Sequence, residues 1–277
     1  MISGKTTLVA HIGYPTESFR APFIYNPWFD SRGIDAVVVP MGCKADDYPA
    51  FLRALSRLTN LRGALVTMPH KVTTVGLLDE ASTAVRISGA CNAVLVKPGG
   101  RLVGDMFDGT GFTRGLKRKG LQLAGARCLV VGAGGVGSAI VASLAEERVA
   151  SITLFDSRRA TAEALAARVA MHHPSVAVTM GANDPAGYDL VVNATPLGMK
   201  AGDPLPFDVA RLAPATFVGE VVMKQEITPL LAAARERGCR IQVGTDMLFE
   251  MIPAYLEFFG FGTTTPEDLR AVAKVAY

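Results

Sequence analysis

Short apolar runs alternate along this chain with stretches whose apolar residues recur at three- and four-residue spacing. Residues 7–12, 34–39 and 63–68 are runs of the first kind and read as buried strands. Pro40 closes the second run and Met68-Pro69 the third. Pro22 is placed to open a helix through Phe29. Apolar residues at 51, 52, 55 and 58 give residues 46–58 helical periodicity. Residues 92–96 and 102–106 flank Pro98-Gly99-Gly100 as a hairpin would. Beyond Asp108 the alternation is regular. A linking helix over 109–119 precedes strands at 127–131, 151–155, 176–180, 188–192 and 216–222. Helices are predicted over 136–147, 161–171, 228–237 and 247–259. Strands alternating with helices imply an α/β protein with parallel sheets and right-handed crossovers.

Composition narrows the class. Of 277 residues, 49% are apolar and 19% charged, which excludes a disordered chain. The formal charge of +3 is too small for a phosphate-backbone footprint, and Lys117-Arg118-Lys119 reads as a solvated helix end, so no nucleic-acid partner is expected. Cys43, Cys91, Cys128 and Cys239 form no C-x-x-C pair and read as packed, reduced thiols of a cytoplasmic protein. No metal site is expected, since the adjacent His172 and His173 would point apart on a helix end. His11 reads as a satisfied core residue and Trp28 as packing, while His70 fits either a cleft or a packing role. The first fourteen residues do not read as a signal peptide. Residues 128–145 carry no charge, which is near the length of a membrane span. Four glycines within six positions break that stretch into a strand, a turn and a new helix.

The turn is Gly132-Ala133-Gly134-Gly135-Val136-Gly137, a G-x-G-x-x-G between an apolar strand and an Ala-rich helix. The first glycine makes the tight turn, the second lets backbone approach a pyrophosphate, and the third lets helix and strand pack closely. The helix N-terminus then offers N–H groups and a positive dipole end to phosphate. Asp156, 19 residues beyond Gly137, is at the position that binds a ribose 2′-hydroxyl and repels a 2′-phosphate, which favours NAD. Ser157 follows it, and Arg158 and Arg159 are the residues that would hold the extra phosphate of NADP.

Several further motifs stand in order. They are Gly13-x-Pro15 with Pro22-Phe23, Val66-Thr67-Met68-Pro69-His70-Lys71, Gly89-Ala90-Cys91-Asn92 and Asp108-Gly109-x-Gly111. Asn193-Ala194-Thr195-Pro196-x-Gly198-Met199, Thr228-Pro229-Leu230-Leu231 and Gly244-x-x-Met247-Leu248 follow. Through them the chain resembles the shikimate dehydrogenase family nearly end to end. The resemblance implies an α/β substrate-binding domain over 1–108, completed by C-terminal helices at about 246–277. It also implies a Rossmann-type doubly wound nucleotide domain over 109–245. The implied reaction is reversible hydride transfer between a nicotinamide and a ring carbon bearing hydroxyl or ketone, as in the shikimate route to aromatic amino acids or in quinate oxidation. The implied proton-handling pair is Lys71 and Asp108. Thr67 and Asn92 would bind other hydroxyls, and Asn193, Ala194, Thr195, Val221 and Gly244 would line the cofactor. A homodimer is compatible with this reading.

The chain departs from the family at the substrate contacts. Phe19-Arg20-Ala21 stands where the family carries S-x-S, whose hydroxyls bind the substrate carboxylate. Losing two such bonds costs about 3–6 kcal/mol, or roughly 10²–10⁴ in affinity. Arg20 is the candidate to recover a carboxylate. Met106-Phe107 replaces Asn-Thr, Met223 a tyrosine, and Met251 a glutamine, which predicts a more apolar pocket. The expected partner is a cyclic hydroxy acid or polyol. A folate-linked methylene dehydrogenase and a non-catalytic NAD-binding sensor are the alternative readings.

Overall fold

The computed structural model of the chain describes residues 2–274. In chain order the elements begin β1 (Thr7–Gly13), α1 (Pro22–Arg32), β2 (Ala36–Gly42), α2 (Tyr48–Leu55), β3 (Leu61–Val66) and α3 (Lys71–Val75). β4 (Glu80–Ala81), α4 (Thr83–Ser88), β5 (Ala93–Lys97) and β6 (Arg101–Asp105) follow. Next come α5 (Asp108–Arg118), β7 (Arg127–Val131), α6 (Gly135–Glu146), β8 (Ser151–Phe155), α7 (Arg159–His172), β9 (Ala177–Met180), β10 (Leu190–Asn193) and β11 (Phe217–Glu220). α8 (Pro229–Glu236), β12 (Arg240–Gln242), α9 (Gly244–Phe259) and α10 (Pro266–Val272) complete the chain. These residues group into two compact units. One holds the chain up to Phe107 together with the part from Ile252 onward, and the other holds Asp108–Met251.

The first unit is built on a six-stranded sheet of order β2-β1-β3-β5-β6-β4. β1 pairs in parallel with β2 and β3, but β5 runs antiparallel to β3 and to β6. The sheet is therefore mixed and not purely parallel, because the hairpin turns the chain back within the sheet. The C-terminal elements belong to this core. Tyr255 packs edge-on against Phe107, with ring centroids 5.0 Å apart, and the Trp28 indole donates to Thr264 at 3.0 Å.

The second unit has strand order β12-β11-β10-β7-β8-β9, and each pairing is parallel. This is the doubly wound dinucleotide-binding order, whose direction reverses between β7 and β10. Leu129, Val131, Val191 and Val218 of its strands are buried with Leu230 and Leu231 of α8. Buried aliphatic side chains of this kind contribute roughly 1.5–3 kcal/mol each.

Helices with clear punctuation lie where the pattern predicts them. α1 extends to Arg32 and stops at Gly33, whose φ of 65° is left-handed. α8 starts at Thr228, which caps it by accepting from Leu231 N at 3.3 Å. The short elements α3, α4, β4 and β12 are additional to the predicted set. All four cysteines are free and buried. No helix among the described residues is long and apolar enough to cross a membrane.

Candidate active site

In the first unit the site candidates gather at the C-terminal ends of β1 and β3, where ligands of parallel sheets bind. Thr67 follows β3, and its N–H donates to Ile12 O at 2.9 Å. Its own carbonyl accepts from His70 N at 3.0 Å, and this turn delivers Lys71 as the half-buried first residue of α3. The Lys71 carbonyl accepts from Cys91 N at 2.9 Å, tying the second motif to the third. Burial pushes the Cys91 thiol up to about 12, and the nearby Lys71 charge pulls it the other way.

Asn92 is the buried hub of this region. Its carbonyl accepts from Val66 N at 2.8 Å and from the Tyr255 hydroxyl at 3.3 Å. Its Oδ1 accepts from Phe107 N at 2.9 Å, one residue before Asp108. Asp108 is the buried first residue of α5, in the second unit.

The remaining candidates of this unit and its neighbours are placed as follows in the structure. His70 packs. Its ring stacks on Tyr48 at 4.0 Å, and its Nε2 lies 2.8 Å from the Cys43 carbonyl. His11 is not a satisfied core residue, because its buried Nδ1 has no hydrogen-bond partner. Nothing in its composition as a residue of an apolar strand shows that deficit. Met106 and Phe107 are both buried, Phe107 against Tyr255 and Phe258. Met223 is half exposed. Met251 is half-buried, and its backbone N lies 2.9 Å from where a Cβ on Gly111 would stand. Arg20 is exposed.

In the second unit the glycine turn follows β7. A Cβ on Gly137 would overlap the Gly132 carbonyl, so only glycine fits there. Around Gly134 and Gly135 the reverse holds, since a Cβ at either would meet nothing within 4 Å. That open space lies over the N-terminus of α6, whose cap, Gly134, makes no side-chain bond. This cradle fits the pyrophosphate of a dinucleotide. The Asn193–Thr195 segment packs against the same turn, because a Cβ on Gly132 would come within 2.7 Å of Ala194 O. Asn193 Oδ1 accepts from the Thr195 hydroxyl at 2.7 Å, and its Nδ2 donates to Glu220 Oε2 at 3.2 Å. Glu220 also accepts from the Thr228 hydroxyl at 3.1 Å, and burial raises its carboxyl pKa. Gly244 packs closely on the Val221–Val222 backbone.

Asp156 sits at the end of β8 with little exposure. It accepts from Ala133 N at 2.7 Å and from Arg158 N at 2.8 Å, so it anchors the glycine turn. The side chains of Arg158 and Arg159 are exposed. A depression of about 700 Å³ elsewhere in this unit is lined by Asp184, Phe207 and Arg211. Arg211 is paired there with Asp184 at 2.7 and 2.8 Å, and no site candidate lines it.

The family model for the shikimate dehydrogenase substrate binding domain matches residues 11–94, and a putative NAD(P)-binding model matches residues 120–197. A shikimate dehydrogenase (NADP(+)) of Acidiphilium cryptum is 36% identical over 276 residues, 99% of this chain and 98% of that protein. The chain belongs to the shikimate dehydrogenase family. Among solved structures, shikimate 5-dehydrogenase from Listeria monocytogenes, in complex with shikimate and NAD, has a TM-score of 0.91 at 27% identity. The overlap covers 98% of this chain and 97% of that one. Quinate dehydrogenase from Corynebacterium glutamicum, in complex with NAD, has a TM-score of 0.85 at 30% identity, covering 96% and 98%. This member of the family is accordingly an NAD(P)-dependent dehydrogenase acting on a CH–OH group. That assignment stands over the folate-linked and non-catalytic readings.

Proposed function

We propose that this dehydrogenase oxidises, reversibly, a ring hydroxyl of a cyclic hydroxy acid or polyol related to shikimate or quinate, with NAD preferred to NADP. The nicotinamide, when bound, supplies the hydride acceptor. Lys71 and Asp108 handle the proton at the reacting hydroxyl, and Thr67 and Asn92 hydrogen-bond neighbouring hydroxyls. The Gly132–Gly137 turn with α6 holds the pyrophosphate, the 193–195 segment with Val221 and Gly244 lines the nicotinamide side, and Asp156 with Ser157 meets the adenosine ribose. The preference for NAD rests on the Asp156 carboxylate at the end of β8, which repels a 2′-phosphate. The observation that carries the reading is the bond between Lys71 O and Cys91 N. It binds the lysine motif to the Asn92 motif beside the C-terminal end of the central strand β3.

The test is a matrix of initial rates, NAD or NADP against shikimate, quinate, cyclic polyols and their ketones, with Lys71→Ala alongside. Turnover with NAD above NADP is expected. Lys71→Ala should lower kcat by roughly 10²–10⁴ while NAD affinity is unchanged. Full activity in that variant would remove the lysine from the mechanism. A higher kcat/KM with NADP would remove the cofactor preference.

A further inference from the structure

In the first unit a stacked aromatic pair stands against the turn that leads into Lys71. β1 ends at Gly13, and a Cβ there would come within 2.9 Å of Phe19 Cζ and 2.8 Å of Met68 O, and would overlap the Thr67 methyl. The edge of the Phe19 ring therefore stands against the turn that holds Thr67 and leads into Lys71. Behind it lies His11, stacked on Phe19 with centroids 4.0 Å apart and planes 27° from parallel. Both rings are buried, Phe19 at 8% exposure and His11 at 9%. Burial lowers the imidazole pKa to about 4, so this second layer is uncharged at neutral pH. The rim continues in the same character. Tyr14 N donates to Met68 O at 3.0 Å, and Tyr14, Met68 and Val72 are 51%, 75% and 70% exposed.

A carboxylate placed against this pair would give up water and meet ring carbon. Each charged hydrogen bond it fails to remake costs roughly ten- to hundred-fold in affinity. A ring C–H face loses nothing there, since apolar faces pack on aromatic ones. We propose that the preferred substrate is uncharged, a cyclic polyol or its ketone, with its ring C–H face against Phe19 and its hydroxyls toward Thr67, Asn92 and Lys71. The proposal rests on the reading of Lys71 given above. The step balances as alcohol oxidation. The carbinol C–H bond breaks, its hydride passes to the nicotinamide, the hydroxyl proton passes to the Lys71–Asp108 pair, and C=O forms.

The experiment compares acid and neutral partners of one skeleton on the intact enzyme: shikimate, its methyl ester and its hydroxymethyl analogue, and quinate with its methyl ester. The neutral partners should exceed the acids at least ten-fold in kcat/KM with NAD. Phe19→Ser should narrow or reverse that ratio by admitting a hydroxyl donor. The ratio in the unaltered enzyme decides the matter even where the variant fails to fold. Acids turned over as well as or better than their esters would overturn the proposal and leave the dehydrogenase reading intact. An acid preference that disappears in Arg20→Ala would overturn it by placing a carboxylate on Arg20. Absence of turnover on every pair with NAD and NADP would remove both the proposal and the reading beneath it.

Discussion

His11 occupies the fifth place of a seven-residue strand whose other side chains carry no charge. Its folded-state pKa is held down at about 4, against an ordinary value of 6.5, because burial disfavours the imidazolium. The unfolded chain takes up a proton as pH falls through 6.5, whereas the folded chain resists until about 4. The stability that His11 contributes is thus complete above pH 6.5 and is lost as pH falls toward 4. The shift corresponds to a ceiling of about 3 kcal/mol. Denaturant melts of the wild type and of His11→Leu between pH 7.5 and 4 should diverge on this account, the variant losing less stability on acidification. Parallel curves would show that His11 takes up its proton as readily in the folded chain as in the unfolded one. At this scale the candidate site was partly legible. Thr67, Lys71, Asn92 and Asp108 stand in motifs whose residue types serve a proton-transfer site. The stack of His11 on Phe19 was not, because seven residues separate them, the end of β1 and a loop, and only the tertiary fold makes them neighbours.

The glycine turn shows how an element divides its work between neighbouring residues. Gly137 faces the Gly132 carbonyl, backbone that cannot swing away, whereas Gly134 faces open space with φ at −71°, which alanine adopts freely. The two alanine variants should therefore separate. Gly137→Ala should lose about 1–3 kcal/mol from overpacking and lower the Tm. Gly134→Ala should cost under about 1 kcal/mol, yet weaken NAD at least ten-fold by filling the space a pyrophosphate would take. Thermal melts and NAD titrations of both variants check this, and equal NAD affinity in Gly134→Ala and wild type would mean that the cradle lies elsewhere. The same division explains which elements could be read in advance. β7, α6, β8 and α7 have long apolar periodicity and clear turn residues, so local pattern and fold agree. α3 and α4 span only five and six residues, β4 two and β12 three. They are too short for a period to show, and long-range pairings stabilise them, such as that of Ala81 with Gly104. The antiparallel run of β5 beside β3 likewise has no local signature, because strand direction is decided by the sheet and not by the strand.

For the whole molecule, the part of the chain from Ile252 onward is core to the unit that also holds the chain up to Phe107. Ile252, Leu256, Phe259 and Leu269 are almost wholly buried, and the Phe259 ring lies 2.7 Å from where a Cβ on Gly63 would stand. Tyr255 covers Phe107 and bonds Asn92, Arg32 pairs with Asp268 at 2.9 Å, and Lys274 N reaches Phe23 O at 2.8 Å. Removing large buried side chains costs about 2–5 kcal/mol each. Losing four together, about 8–20 kcal/mol, matches or outweighs the roughly 5–15 kcal/mol that holds a domain folded. The sheet of the second unit, by contrast, takes none of its strands from beyond residue 251. A chain ending at Met251 should therefore lose slow hydrogen exchange in β1, β2 and β3 while retaining it in β7, β8 and β10. It should keep NAD affinity within about ten-fold of wild type and show no turnover, because Lys71, Thr67 and Asn92 would no longer be held. Protection retained in β1 would mean that this sheet stands without its C-terminal helices. Protection lost in β7 would mean that the nucleotide unit depends on the other for its fold, and the two losses would be read separately in one exchange experiment.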